Sequence, residues 1–148
     1  MFKRIIVPVD NSETALKALH VAVELAKEQQ AKLQILHVID EQFLGFAEIY
    51  GDFHGVITPL KKSGEEVLNK MSAIAKNANI DFQCTLVELK PLEGRVAEKI
   101  IAQAKEWSAD LIVIGSHGRR GFSRMFLGSV AENVMRIASV PVLLMHAE

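Results

Sequence analysis

Short runs of valine, isoleucine and leucine alternate along this chain with longer stretches in which apolar residues return every three or four positions. Residues 4–9, 33–39, 111–114 and 140–145 are rich in valine, isoleucine and leucine at neighbouring positions, the pattern of strands buried on both faces. Residues 82–89 alternate less cleanly and predict a strand nearer a sheet edge. Between these runs the period is helical. Residues 13–30 place Leu16, Leu19, Val23 and Ala26 on one face, with Asn11 or Ser12 as N-cap. Residues 60–78 do the same with Leu60, Val67, Leu68, Met71, Ile74 and Ala78. Residues 94–107 carry Val96, Ile100, Ile101, Ala104 and Trp107, and residues 129–138 carry Val130, Val134 and Ile137.

The order β-α-β-α-β-α-β-α-β predicts one doubly wound α/β domain. Each parallel step needs a right-handed crossover, and successive crossovers put helices on both faces of the sheet. Ligands of such sheets bind beyond the carboxyl ends of the strands, where the winding reverses. The segments 8–11, 38–41 and 115–128 all follow strand ends and should share one rim. The connection 40–59 has no clear period and holds Phe43, Phe46, Tyr50 and Phe53 among Gly45, Gly51 and Gly55. A connection of that length is a candidate lid or partner contact.

Composition narrows the classes. A chain of 148 residues, 49% apolar and with 4 prolines, has enough material for one packed core. A net charge of −1 lacks the basic excess of a general nucleic-acid binder. The single cysteine, Cys84, forms no internal disulfide, fits a reducing compartment, and reads as a small core residue. No run approaches the roughly 20 apolar residues that span a bilayer. The basic opening Met-Phe-Lys-Arg is followed by too short an apolar stretch for a secretory signal, so the expected location is cytoplasmic and off the membrane.

The chemistry concentrates after the fourth strand. Gly115-Ser-His-Gly118, nine residues, then Gly128-Ser129 combine a buried strand, a glycine-framed loop and a helix start. Glycine allows close approach of the backbone to an anion, and the first N–H groups of a helix point at it. Arg119, Arg120 and Arg124 lie in the loop, and Ser129-x-x-Glu132 fits a capping box. The loop is no P-loop, because its lysine is missing, and Gly115, Gly118 and Gly121 do not make the dinucleotide fingerprint. Tight turns alone also require glycines, so the individual positions are ambiguous.

Taken with Val7-Pro8-Val9-Asp10 and Ser139-Val140-Pro141-Val142-Leu143, this motif resembles the universal stress protein family, over residues 2 to about 145. The resemblance implies a five-stranded parallel sheet in the order 3-2-1-4-5 and a cytoplasmic homodimer joined through Val140–Met145. It also implies the ATP-binding subgroup, with ATP, ADP or AMP held together with Mg2+. Carried over by position, Pro8, Val9 and Asp10 line the adenosine pocket, and Val38 meets adenine through its backbone. Gly115 and Ser116 approach the ribose, while Gly118, Arg119, Gly128, Ser129 and Val130 surround the phosphates. Asp10 admits three roles: touching the nucleoside, helping to hold magnesium, or starting the following helix.

His117 reads as a solvent-facing loop histidine, because no carboxylate close in sequence would orient it as a base. His37 falls on a buried strand and His20 on a helix, and His54 and His146 are isolated, so no zinc spacing is present. No serine sits in a Gly-x-Ser-x-Gly elbow. The expected function is a nucleotide-responsive regulatory module with a downstream protein partner and at most slow ATP hydrolysis. The alternatives are an ATPase or adenylyl-transfer enzyme, and a nucleotide-free dimer acting through protein contacts.

Overall fold

The computed structural model describes residues 1–42, 53–117 and 127–147, the side chains of 53–57 excepted. Five strands, β1 (Arg4–Pro8), β2 (Lys32–Asp40), β3 (Phe82–Leu89), β4 (Leu111–Gly115) and β5 (Val142–Met145), form one sheet in the order β3-β2-β1-β4-β5. Every pairing is parallel. The helices are α1 (Glu13–Gln29), α2 (Phe53–Asn77), α3 (Val96–Glu106) and α4 (Ser129–Ile137).

Two apolar layers sandwich the sheet. One face of the strands (Ile5, Val7, Leu33, Ile35, Val113) packs against α1 and α2, through residues such as Leu19, Val23 and Met71. The other face (Ile6, Leu36, Ile112, Ile114) packs against α3 and α4, through Ile100, Ala104 and Val134. The continuous apolar runs of the sequence thus arise because successive side chains enter opposite cores. No helix among the described residues is long and apolar enough to cross a membrane.

Local chemistry explains where elements begin and end. Ser12 caps α1, its hydroxyl accepting from the Ala15 N–H at 3.2 Å. The second helix starts earlier than its period suggests, at Phe53, with Pro59 inside it, so part of the expected 40–59 connection is helical. Phe43, Phe46 and Tyr50 of that connection lie outside the described residues. The third helix is shorter than 94–107, because Gly94 has φ +105°, which no helical residue adopts. Strand β5 begins at Val142 and not at 140; Pro141 still accepts from the Ile112 N–H but has no hydrogen to donate. Cys84 is exposed on the edge strand β3 rather than part of the core, and partial desolvation holds its thiol pKa above the usual value, which disfavours the thiolate.

At the opposite end of the sheet from the strand carboxyl termini, Arg4 ties β1 to the end of α3. Its guanidinium lies 4.5 Å from the Trp107 ring centroid, and its Nε donates to the Trp107 carbonyl at 2.7 Å. Removing both interactions with Arg4→Met is expected to cost about 1–2 kcal/mol, read as a lower denaturation midpoint in urea.

Candidate functional site

The carboxyl ends of β2, β1 and β4 lie side by side, so residues 8–10, 38–41 and 115–117 do share one rim. The winding reverses between β1 and β4, and there the sheet opens. β1 pairs with β4 only at Ile5↔Leu111 and Ile6↔Ile112. The main chain of Arg4 faces β4, where its carbonyl accepts from the Asp110 N–H at 2.9 Å. The main chain of Val9 faces β2, donating to the Leu36 carbonyl at 2.7 Å. Alternation therefore turns Pro8 toward β4, and a proline nitrogen has no hydrogen for the next rung.

The turn after β4 is clamped from several sides. The Ser116 N–H donates to the Met145 carbonyl at 2.8 Å, and the Gly128 N–H donates to the Ser116 carbonyl at 2.7 Å. That second bond brings the two ends of the glycine loop together at its base. Thr14, buried in the first turn of α1, donates its hydroxyl to the His117 carbonyl at 2.6 Å and accepts from the His117 N–H at 3.3 Å. Gly115 sits flush against this turn. A Cβ there would stand 2.6 Å from both the Thr14 carbonyl carbon and its Oγ1, and 2.8 Å from the Ala15 nitrogen. The glycine is thus required by the approach of α1.

Two other readings change. His117 is half-buried, with its backbone held by Thr14 and its Nδ1 2.6 Å from the Ser116 hydroxyl, so it is not a free solvent-facing ring. Ser116 is fully buried, with its hydroxyl turned to that imidazole. The capping box at Ser129 does not form: Gly128 is the N-cap, the Glu132 N–H bonds to the Gly128 carbonyl, and the Glu132 carboxylate pairs with Arg136. Among the described residues no side chain caps α4, and Ser129 is exposed at its first position. An uncapped helix start tied to Ser116 through Gly128 suits an anion.

Around the rim, Pro8 and Val38 are half-buried, Val9 is buried, and Val130 is half-buried against the α3/α4 core. One Asp10 oxygen accepts from the Ser12 N–H at 2.8 Å, the turn that precedes α1. Gly118 and Arg119 lie outside the described residues, with Arg120 and Arg124. A concavity of about 240 Å3 lined by Ile101, Ala104, Ile112 and Val140 lies toward the amino end of β4, away from this rim.

Sequence reasoning missed a carboxylate pair at the ends of β2 and β3. Glu41 is buried, its N–H donates to the Leu89 carbonyl at 2.9 Å, and one carboxyl oxygen has no hydrogen-bond partner among the described residues. Burial, then the neighbouring Glu88 charge, raises its pKa above the ordinary 4.5, while the hydrogen bond from Lys61 lowers that of Glu88. Lys61 and Glu88 are 2.8 Å apart. A raised carboxyl pKa means that the folded state holds the proton more tightly, so stability falls as pH climbs from 4.5 through the raised value. Glu41→Gln is accordingly expected to raise the melting temperature at neutral pH, and the gain should vanish below the ordinary value of 4.5. Melting curves across that range check it.

The fold and this rim define an open parallel α/β protein whose crevice lies at the switch point of its winding. The chain belongs to the universal stress protein family, whose family model matches residues 1–146. It is 36% identical over 145 residues to universal stress protein MJ0531 of Methanocaldococcus jannaschii, covering 97% of this chain and 81% of that one. The solved structure of MJ0577 from the same organism superposes with a TM-score of 0.84 at 27% identity, covering 100% of this chain and 98% of that one. A universal stress protein crystallised in complex with cAMP superposes with a TM-score of 0.67 at 27% identity, covering 98% and 97%.

Proposed function

We propose that this chain is a nucleotide-binding regulatory protein that holds ATP, ADP or AMP in the crevice between β1 and β4. The observation that carries this reading is the uncapped start of α4, held next to Ser116 by the Gly128–Ser116 bond at the point where β1 and β4 part. Its first N–H groups and the exposed Ser129 hydroxyl suit phosphate oxygens. Pro8, Val9 and the backbone of Val38 form the nucleoside side, with Gly118 and Arg119 assigned to the phosphates by motif position. The similarity to the cAMP-bound relative supports a nucleotide as the ligand class.

Among the described residues no cluster of three or more histidine, cysteine or acidic side chains could hold a metal ion. Magnesium in this reading arrives with the phosphates, Asp10 being the one protein carboxylate of the proposed pocket. Occupancy of the phosphate position at Gly118 and Gly128 is, in this reading, the signal to a protein partner. The working form in this reading is a cytoplasmic homodimer through β5, an edge strand of the sheet whose Leu143 side chain is exposed.

Calorimetric titration with ATP, ADP, AMP and cAMP, with and without Mg2+, tests the reading. The expected dissociation constant is micromolar or weaker, roughly −8 kcal/mol. Mass spectrometry of small molecules released from freshly purified, denatured protein supplies the second arm. No heat with any nucleotide and no released nucleotide would overturn it. Rapid conversion of ATP to ADP, or to AMP and pyrophosphate, would favour an enzyme instead.

A further inference from the structure

Backbone groups along β2 alternate between its two neighbours. The Lys32 N–H donates to Lys3 of the β1 side at 2.9 Å, and the Leu36 carbonyl accepts from Val9 at 2.7 Å. The Leu33 and Glu41 N–H groups go the other way, to Asp81 and Leu89 on the β3 side, each at 2.9 Å. The period of two therefore aims both the N–H and the C=O of Val38 at β1. Moving from the Lys32–Lys3 bond the same distance along both strands, the next rung due at this end joins the Val38 N–H to the Val9 carbonyl.

That rung is not made. The β1–β2 register ends at Pro8↔Leu36. The Val9 carbonyl is taken by a side chain: His37 Nδ1 lies 2.7 Å from it. A carbonyl oxygen only accepts, so Nδ1 carries the hydrogen, in the neutral ring and the protonated ring alike. The ring is held in place by α2. A Cβ on Gly64 would stand 3.0 Å from His37 Cδ2, 3.0 Å from Leu86 Cδ1 and 3.3 Å from Ile39 Cγ1, so a glycine makes the room that the imidazole fills.

We propose that His37 is a positioning residue for the crevice: by occupying the Val9 carbonyl it keeps the Val38 N–H and C=O out of the sheet and ready for a ligand. Val38 is half-buried, and a main-chain donor and acceptor there need a partner, which beyond the end of β1 is water or a bound molecule. One donor next to one acceptor, both near the plane of the sheet, matches the hydrogen-bonding edge of a purine base. The ligand half of this inference rests on the nucleotide reading; the structural half does not.

Amide hydrogen exchange followed by NMR on the nucleotide-free full chain tests the structural half. The Val38 amide should exchange freely, while Leu36, which belongs to the paired register, stays protected. In His37→Leu the Val9 carbonyl loses its donor, and Val38 should close the rung and become protected. Titration with AMP should then be at least about tenfold weaker than wild type. His37→Asn places an N–H where Nδ1 stood, so both readouts should remain near wild type. A protected Val38 amide in the wild-type protein, or one unmoved by His37→Leu, overturns the proposal. So does His37→Asn binding as weakly as His37→Leu. If the wild type binds no nucleotide, the nucleotide reading has failed, and the exchange measurement alone decides the role of His37; the wild-type arm does so even if His37→Leu does not fold.

Discussion

Replacing Gly115 by alanine is expected to destabilise the protein by about 3 kcal/mol, the upper end of the cost of overpacking. For a domain of this size that is a fall in melting temperature of about 6–12 °C, read by circular dichroism. The reason is that the new methyl meets backbone. Two of the three nearest atoms, at 2.6 and 2.8 Å, are main-chain atoms of Thr14 and Ala15 in the first turn of α1. A side chain could rotate away, but a helix start must move as a body. That turn also holds His117 through Thr14, so the displacement would reach the loop after β4. Truncating Thr14 to alanine in the same chain removes the Oγ1 collision and leaves the backbone one, so the double variant should remain destabilised. A Gly115→Ala protein that melts with the wild type would show that α1 is free to shift.

Gly128→Val separates the second glycine from the first. Gly128 has φ −62° and ψ 148°, a conformation that valine adopts freely. Its N–H bond to Ser116 survives the change, and the loss of a favourable N-cap residue costs about 1 kcal/mol. The fold should therefore hold, with a melting temperature lowered by only about 2–4 °C. Nucleotide affinity should drop by about a hundredfold, or ~2.8 kcal/mol, because the isopropyl group would stand where phosphate approaches the helix start. Equal affinity in calorimetry would remove Gly128 from the site. The two variants are expected to fail in different ways, one in folding and one in binding.

Much of the fold was legible because burial on both faces leaves an unmistakable trace: Ile5-Ile6-Val7 and Leu111 to Ile114 send alternate side chains into two cores. Ends were less legible. The start of α2 at Phe53 was hidden by Pro59, which ordinarily opens a helix and here lies inside one. The Ser129-x-x-Glu132 spacing satisfied a local rule, yet the helix begins one residue earlier because the Gly128 carbonyl receives the Glu132 N–H. Within the candidate site, the rim could be read from strand order, but its internal bonds could not. The packing requirement for glycine at 115 was hidden because the motif carries no information about α1 lying against it. His37 looked like any histidine on a buried strand, since its partner, the Val9 carbonyl, lies just past the end of β1, 28 residues away. The unpaired oxygen of Glu41 has no signature in sequence at all.

The missing hydrogen of Pro8 bears on affinity as well as shape. A sheet left to itself closes like a zipper, and each further rung between β1 and β4 would be worth about 0.5–1.5 kcal/mol. A ligand seated between those strands would have to compete with that closure. Each 1.4 kcal/mol of such competition weakens apparent binding about tenfold. Proline is a stop on the zipper that needs no strained backbone and no bulky wedge. Where β1 and β4 separate, the competitor has been removed before any ligand arrives.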